Sequence, residues 1–367
     1  MPAGAAMFPP GNRPGRRSVS AQAPGREIDF HSHLASIAGR QTQEQEKKNA
    51  MHKVIFDTDP GIDDAMALLF LHRHPAINLI GITTVFGNAS VETTTRNALF
   101  LKQQWGIDAP VAKGLDKTFN PDRPHVGWPT FIHGDDGLGN IDVPETVDLP
   151  IDPRPAHRFI IDTVRAHPGE VTLIAVGRMT NLALALREDP DFAALVREVV
   201  IMGGAFDVNG NITPAAEANI HGDPEAADVV MTAAWPVTVV GLDVTTQTVM
   251  TKAMIADIAE RGGEAGKLLA DISKFYVTFY EQHVPDGMVV HDSCACAYVV
   301  APDLFTVRSG SIRVVCGGIA DGQTIQSPDN RLFPPSPWDN LPSQKACTDI
   351  DAARTLKLIS DTLVLND

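Results

Sequence analysis

The sequence lacks the features that mark several large classes of protein. Four cysteines in 367 residues are too few for a disulfide scaffold, and we expect reduced thiols in a cytoplasmic protein. Basic residues are also scarce: 30 Lys and Arg against 45 Asp and Glu give a net charge of −15, which argues against nucleic acid as a partner. No apolar run approaches the roughly 20 residues that span a bilayer, so we expect no membrane partner either.

The first 50 residues lack a secretory signal and differ from the rest of the chain. They have no apolar segment, but they contain Pro-Gly pairs and a polar run before Met51. This composition predicts a disordered extension over residues 1–50. Arginines with no acid before Glu27 leave organellar targeting open, beside a natural tail or translation that begins at Met51. Residues 51–367 contain no linker-like segment, and we predict a single domain there.

What the chain does have is a dense group of acids in one short segment. Residues 54–65 read Val-Ile-Phe-Asp-Thr-Asp-Pro-Gly-Ile-Asp-Asp-Ala, between a strand-like and a helix-like apolar run. The four acids are Asp57, Asp59, Asp63 and Asp64. Helix capping explains one of them at most. Crowded carboxylates repel one another, and a divalent cation with oxygen ligands would stabilise them. The segment does not fit an EF-hand, because Leu68 stands where the bidentate Glu belongs.

From residue 53 onward, strand-like and helix-like runs alternate. The predicted strands are 53–56, 78–85, 171–176, 199–202 and 237–242. The predicted helices are 64–72, 91–105, 181–188, 224–233, 252–261, 264–282, 294–300 and 349–363, with long loops over 113–155. This alternation predicts a single-domain α/β fold, with a mainly parallel, open, Rossmann-like sheet and helices on both faces. Ligands of such sheets bind at the carboxyl ends of the strands, and we predict the active site there.

The acid turn alone allows two enzymatic functions. A strand-end Asp-x-Asp also suits a Mg²⁺-dependent phosphohydrolase with an Asp nucleophile. The segment resembles, at every specified position, the signature Asp-x-Asp-Pro-Gly-x-Asp-Asp-Ala of the nucleoside hydrolases. Further motifs similar to that family follow in the same order, at Gly87-Asn88, Thr180-Asn181, Glu217-Ala218-Asn219 and His291-Asp292. Together they resemble the inosine–uridine-preferring type of nucleoside hydrolase.

The resemblance implies an enzyme that hydrolyses the N-glycosidic bond of ribonucleosides to free base and ribose, with Ca²⁺ as the cofactor. Asp59, Asp64 and Asp292 would bind the ion through their side chains, and Thr180 through its main-chain carbonyl. Asp59 would also be the general base, acting on a water bound to the metal. His291 would assist the departing base, since the ordinary pKa of histidine lies near 6.5.

The resemblance also implies contacts to the sugar and to the base. The residues expected at the sugar are Asp63, Asn88, Met202, Asn211, Glu217 and Asn219. The segment around Asn211 is one residue longer than the commonest form of the family, so Asn209 could stand in its place. His133 matches a loop histidine near the base. Phe279 and His283 lie on the helix before His291, where they contact either the base or the core.

Two other functions stay open from the sequence. The phosphohydrolase would be phosphorylated on Asp57, and a non-catalytic nucleoside-binding protein would keep the sugar contacts without turnover. We expect a small-molecule ribonucleoside as the partner and, by resemblance alone, a homodimer or homotetramer. The physiological role would lie in nucleoside catabolism or in purine and pyrimidine salvage.

Overall fold

The strands determine where the predicted site residues meet, and a computed structural model shows how they are ordered. It describes residues 51–124, 127–284 and 286–365, and the predicted extension over residues 1–50 lies outside the described residues. The strands are β1 (His52–Thr58), β2 (Ile77–Thr84), β3 (Val111–Lys113), β4 (Val171–Ala175), β5 (Glu198–Met202), β6 (Val237–Val240), β7 (Val249–Thr251), β8 (Gly287–Val289), β9 (Phe305–Val314), β10 (Thr324–Pro328) and β11 (Gln344–Ile350).

Nine of these strands form one sheet, in the order β10-β9-β11-β6-β5-β4-β1-β2-β3. The run from β3 to β11 is parallel throughout. At the other edge, β9 pairs antiparallel with β11 and with β10. Strands β7 and β8 form a separate antiparallel pair. The sheet is therefore mainly parallel, as predicted, with an antiparallel extension at one edge.

Helices connect the strands. They are α1 (Ile62–Arg73), α2 (Val91–Trp105), α3 (Thr130–His133), α4 (Ala156–Ala166), α5 (Thr180–Glu188), α6 (Ala218–Gly222), α7 (Pro224–Thr232), α8 (Leu242–Thr245), α9 (Lys252–Arg261), α10 (Gly263–Tyr280), α11 (His291–Val300) and α12 (Ala352–Leu363). Within the described ranges, none of them combines the length and apolarity that crossing a bilayer requires.

Strand β1 shows why helices cover both faces of the sheet. Val54, Ile55 and Phe56 are all fully buried. Val54 and Phe56 belong to the core cluster that includes α1, whereas Ile55 belongs to a second cluster with α4 and α5. Successive side chains of a strand point to opposite faces, so both faces of this strand must be covered. This confirms the predicted α/β class.

All of the predicted strands and helices occur, the helices 91–105 and 252–261 with the predicted ends and the others with shifted ends, but the prediction was incomplete. It missed α4, which begins directly after Pro155, and the short helices α6 and α8. It also missed the six strands β3, β7, β8, β9, β10 and β11. The last helix begins at Ala352 rather than at residue 349, because β11 continues to Ile350. The predicted loops over 113–155 contain the single turn α3.

Candidate active site

The turn after β1 positions its acids by wrapping the backbone around one carboxylate. Asp64, in the first turn of α1, accepts hydrogen bonds from Thr58 Oγ1 (2.6 Å) and from the Gly61 N–H (3.0 Å). The Asp59 N–H also donates to it, at 3.2 Å. An acid in the first turn suits the positive end of the helix dipole. Asp64 therefore caps α1 and at the same time fixes the backbone of Asp59.

The end of β2 supplies Asn88, which connects two of the acids. Its N–H donates to Asp59 Oδ2 (2.8 Å), and its Nδ2 donates to Asp64 Oδ2 (2.9 Å). Because β1 and β2 are neighbouring parallel strands, their carboxyl ends meet at this point. Asn88 lines the cavity as predicted for a sugar contact, and it also holds the two carboxylates side by side.

Two glycines allow the backbone to approach Asp59 closely. A Cβ atom on Gly87 would lie 1.9 Å from Asp59 Oδ2, and one on Gly177 would lie 2.4 Å from Asp59 Oδ1. Real atoms cannot approach so closely, so any side chain here would displace the carboxylate. The position of Asp59 therefore depends on both glycines.

We expect Gly87→Ala to lower turnover by about 100-fold, because an error of about 1 Å in the position of a reacting group costs that much. The measurement is kcat on a nucleoside, with circular dichroism to show that the fold is kept. Gly106→Ala is the control: Gly106 ends α2 at φ 65°, where a Cβ meets no described atom within 4 Å. It should cost about 1 kcal/mol of stability and leave kcat unchanged. Normal turnover by Gly87→Ala would show that turnover does not depend on the observed position of the Asp59 carboxylate.

Acids from both ends of the domain converge beneath the turn. One oxygen each of Asp63, Asp64 and Asp292 lie within 4.8 Å of one another, and all three residues are buried. Asp59 Oδ1 is also buried, without a hydrogen-bond partner among the described residues. Converging carboxylates and an unpartnered oxygen fit a hard divalent cation, so these acids could hold a metal ion. The group contains two of the predicted ligands, Asp64 and Asp292, and adds Asp63, which was predicted to bind the sugar.

Burial and mutual repulsion make these carboxyl groups weak acids. Burial, and then repulsion by Asp64, raise the pKa of Asp63 to about 8. The same two causes raise the pKa of Asp59 well above its usual range. For Asp292 the pKa is raised well above its usual range by burial and then by the charge of Asp63. Without a positive charge among them, the acids therefore favour their protonated forms.

Thr180, the remaining predicted metal ligand, is buried at the start of α5. Its hydroxyl donates to Asp223 Oδ2 at 2.6 Å. The same carboxylate oxygen accepts from the Phe119 N–H at 2.8 Å. The Thr180 side chain is thus used inside the protein, and a metal contact through its main-chain carbonyl stays a prediction.

A cavity of about 600 Å³ opens above the acids. The predicted residues in its wall are Asp59, Asp63, Asn88, His133, Met202, Asn211, Glu217, Asn219, Phe279, His283, His291 and Asp292. The other two, Asp64 and Thr180, are buried behind the wall. The structure therefore brings twelve of the fourteen predicted residues, spread over the whole domain, to the wall of one cavity.

The segment after β5 forms the polar side of this cavity. Asn211 lies in the wall, and Asn209 does not. Asn211 Oδ1 accepts from the Ala218 N–H at 2.9 Å, which fixes the loop. Glu217 caps α6, and its Oε2 accepts from the Gly204 N–H at 3.0 Å. Of the two asparagines left open by the sequence, Asn211 is the one placed to contact a ligand.

Asn219 also serves the loop. Its Nδ2 donates to the carbonyl oxygens of Val176 (2.7 Å) and Met202 (3.2 Å), which joins the ends of β4 and β5. Its N–H donates to Glu217 Oε1 at 2.9 Å. The side chain is held rigidly beside the cavity.

The opposite side of the cavity is aromatic, and it contains two tyrosines that the sequence analysis did not select. The Tyr276 hydroxyl lies near the carboxylate of Asp63 and lowers its pKa, though by less than burial raises it, and Tyr280 Oη lies 2.9 Å from His291 Nε2. The predicted Phe279 packs against Tyr276, with ring centroids 6.3 Å apart. The spacing of four residues places both tyrosines on one helical face. That spacing, on the helix that precedes His291 in the sequence, was the signal by which both could have been predicted.

Two histidines lie on this aromatic side. Burial lowers the pKa of His291 to about 4. Burial, and then the charge of His291, lower the pKa of His133 to about 3. His133 Nδ1 accepts from the Ile62 N–H at 3.3 Å, and its ring centroid lies 5.5 Å from that of Tyr276. Both imidazoles are therefore neutral near pH 7.

Arg178, directly after β4, is a further wall residue that the sequence analysis missed. It is only 9% exposed, and its Cζ lies 4.7 Å from the centroid of the Phe86 ring. A Cβ on Gly222 would lie 2.3 Å from its Nε, so Gly222 leaves the room that this side chain needs. Its positive charge lies close enough to Asp59 to offset part of the repulsion there.

Asp57, the first acid of the motif, has a different position. It is buried, and its Oδ1 accepts from the Thr83 hydroxyl and from Asn181 Nδ2 (2.8 Å). It does not belong to the cavity wall. A nucleophile must reach its substrate, so this placement argues against the phosphohydrolase with Asp57 as the nucleophile.

The fold and the site together define a class: an α/β protein with an oxygen-rich cation site at the strand ends, beside an aromatic-walled pocket for a small polar molecule. The model of the inosine-uridine preferring nucleoside hydrolases matches residues 54–357. The chain belongs to this family, whose members hydrolyse the N-glycosidic bond of nucleosides.

Individual relatives agree with this assignment. Uridine nucleosidase 1 of Arabidopsis thaliana is 40% identical over 318 residues, 85% of this chain and 93% of the relative. An inosine-uridine preferring nucleoside hydrolase of Leishmania major is 40% identical over 276 residues, 74% of this chain and 87% of the relative. A solved plant nucleoside hydrolase superposes with a TM-score of 0.81 at 38% identity, covering 86% of this chain and 99% of that chain. The protein is therefore a hydrolase that acts on ribonucleosides.

Proposed function

We propose that residues 51–367 form a Ca²⁺-dependent ribonucleoside hydrolase domain that releases free base and ribose with Asp59 as the general base. The observation that carries this proposal is the convergence of Asp63, Asp64 and Asp292, with the charge of Asp59 close by, at a cavity with an aromatic side. The acids at the floor of the cavity suit the hydroxyl groups of a ribosyl ring, and the aromatic side suits the flat base that the ring carries.

The metal would be held by Asp59, Asp64 and Asp292 together with the carbonyl of Thr180. Carboxylate and carbonyl oxygens with room for sugar hydroxyls suit the high coordination number of Ca²⁺ better than the strict octahedron of Mg²⁺. When bound, the ion would supply positive charge that acidifies a nearby water and neutralises the crowded acids. Support comes from the raised pKa values of these buried acids, whose burial and repulsion the charge of Arg178 offsets only in part.

Asp59 takes the proton of the attacking water. Its Oδ2 is fixed by the Asn88 N–H, while Oδ1 is buried with no partner among the described residues. The absence of a protein partner at this oxygen supports a role for Asp59 in the reaction. As the glycosidic bond breaks, positive charge develops on the ribosyl ring, and the nearby carboxylates of Asp59 and Asp63 stabilise it.

The sugar is held between the acid turn and the segment after β5. Asp63 accepts from one hydroxyl, and Asn88 and Asn219, whose Nδ2 groups are used on the protein, accept through Oδ1. Asn211, Glu217 and Met202 contact the end of the sugar remote from the base.

The base lies against the aromatic side. Phe279 and His283 contact its ring, and His133 lies close by. Negative charge that builds on the departing base is stabilised by hydrogen bonding from the pair formed by His291 and Tyr280, whose Nε2 and Oη lie 2.9 Å apart. Relatives named uridine nucleosidases at 38–40% identity favour uridine as the first substrate to test.

We also propose a cytoplasmic homodimer or homotetramer. The four cysteines are free, and three of them are buried, which suits a reducing compartment. The oligomeric state rests on the family resemblance alone.

The proposal is tested by incubating the protein with uridine, inosine, cytidine and 4-nitrophenyl phosphate, each with and without chelator. We expect release of base and reducing sugar from at least one nucleoside, at least about 100-fold slower after chelation, and no hydrolysis of the phosphate ester. Nitrophenol release would support the phosphohydrolase instead. Nucleoside binding without turnover would support a binding protein.

A further inference from the structure

His291 lies between two hydroxyl groups, one on each ring nitrogen. Its Nε2 is 2.9 Å from Tyr280 Oη, on the cavity side. Its Nδ1 is 2.8 Å from Thr245 Oγ1, on the side away from the cavity. Thr245 is fully buried at the end of α8, and it does not line the cavity. The family resemblance assigns no role to this threonine.

The proton of the Thr245 hydroxyl has one acceptor within reach. Apart from His291 Nδ1, no hydrogen-bond partner for Oγ1 occurs in the described ranges. The Thr245 N–H donates to the Gly241 carbonyl, and its own carbonyl accepts from Thr248 Oγ1 at 2.7 Å. Buried hydroxyl groups donate wherever an acceptor exists. The hydroxyl therefore donates to Nδ1, which cannot then carry a proton.

If Nδ1 is an acceptor, the proton of the imidazole lies on Nε2. That proton points to Tyr280 Oη, so the Tyr280 O–H does not donate to His291 and is available to the cavity. Its other neighbour is Tyr276 Oη, at the long distance of 3.5 Å. The three groups form a chain in which every hydrogen bond points the same way, from Thr245 through His291 to Tyr280. Such chains polarise each successive donor and strengthen the last one.

We propose that Thr245 is a positioning residue that holds His291 in the Nε2–H tautomer and so aligns the donor chain toward the departing base. The inference deepens the proposed function and rests on it, because it concerns the leaving group of that reaction. No proton is lost from His291: the chain stabilises the departing base by hydrogen bonding. The departed base acquires its proton from solvent. Asp59 releases to solvent the proton that it took from the attacking water.

The tautomer is tested directly in the calcium-supplied full chain, without any activity measurement. Protein labelled with ¹⁵N at histidine is compared with its His291→Gln variant to assign the ring signals. We expect a protonated Nε2 and an unprotonated, hydrogen-bonded Nδ1. A protonated Nδ1 at His291 would overturn the inference.

The effect on the reaction is tested with two substrates of different leaving-group quality. Thr245→Val removes the hydroxyl at almost constant volume, and we expect kcat on uridine to fall about tenfold. On 4-nitrophenyl β-ribofuranoside, whose leaving group is stable as an anion, kcat should change less than about twofold. Thr245→Ser keeps the hydroxyl and should restore uridine turnover.

Thr248→Val is the matched control, since it removes a neighbouring buried hydroxyl that does not contact His291. It should reduce turnover of both substrates equally or not at all. An equal loss on both substrates by Thr245→Val, or no loss on uridine, would contradict the inference. If wild-type protein hydrolyses no nucleoside, the proposed function fails, whereas the tautomer measurement still decides whether Thr245 fixes the proton of His291 on Nε2.

Discussion

Replacing Asp59 by Asn should lower kcat on uridine by about 10³-fold while the nucleoside still binds within a fewfold of wild-type affinity. Loss of a general base costs between about 10² and 10⁴ in rate. The Asn side chain keeps the shape of Asp and can accept from the Asn88 N–H through its remaining oxygen, so the turn stays in place. What it lacks is the free carboxylate oxygen that takes a proton.

The measurement needs turnover and binding in the same samples. Single-turnover rates give the chemical step, and calorimetry with uridine gives the dissociation constant, both at saturating Ca²⁺ because Asp59 is also a proposed ligand. Asp57→Asn is the control within the same motif: its carboxylate lies behind the wall, between Thr83 and Asn181. Its effect on kcat should stay below about tenfold. Unchanged turnover in Asp59→Asn would remove the role we give this residue.

The acid turn was predictable because its geometry is local. Pro60-Gly61 between an apolar strand and an apolar helix specifies a sharp turn. All but one of the side-chain bonds of Asp64 stay within the turn, at Thr58, Asp59 and Gly61. The approach of Asn88 was predictable by a second rule, since ends of neighbouring parallel strands meet.

The aromatic side was predicted only in part. Its location followed from the helix before His291, and Phe279 and His283 do lie in the wall. Which face of α10 points to the cavity depends on how the helix packs. Tyr276 and Tyr280 lie on that face as well, and helical periodicity alone could not choose among the aromatic residues.

Residues whose roles depend on contacts between distant parts of the chain could not be predicted from the sequence. Arg178 fits against Gly222, and Thr245 meets His291, only after the sheet has assembled. Neither belongs to a motif with recognisable spacing. Strand β9 was also missed for a reason that lies in the tertiary structure. Its mixture of buried and exposed residues follows from its place near the sheet edge.

Adding Ca²⁺ to the chelator-treated protein should raise its Tm by about 5 °C at pH 8.5 and by less at pH 5.5. Burial and repulsion raise the pKa of Asp63 to about 8, and the pKa values of Asp59 and Asp292 are also raised. Between about pH 4 and pH 8 the folded, metal-free state therefore binds more protons than the unfolded chain. Its free energy of unfolding falls as pH rises through this window, because these groups must ionise against burial and repulsion.

A bound cation reverses that penalty, and its binding must displace the protons that the acids hold at low pH. The apparent affinity for Ca²⁺ should therefore weaken as pH falls below about 8. Thermal melts at pH 5.5, 7 and 8.5, with chelator and with saturating Ca²⁺, measure both effects. Asp292→Asn removes a carboxylate of the group and should abolish most of the Ca²⁺-dependent rise in Tm, whereas the exposed control Asp108→Asn should keep it. A rise in Tm that is equal at all three pH values would mean that the ion binds away from these acids.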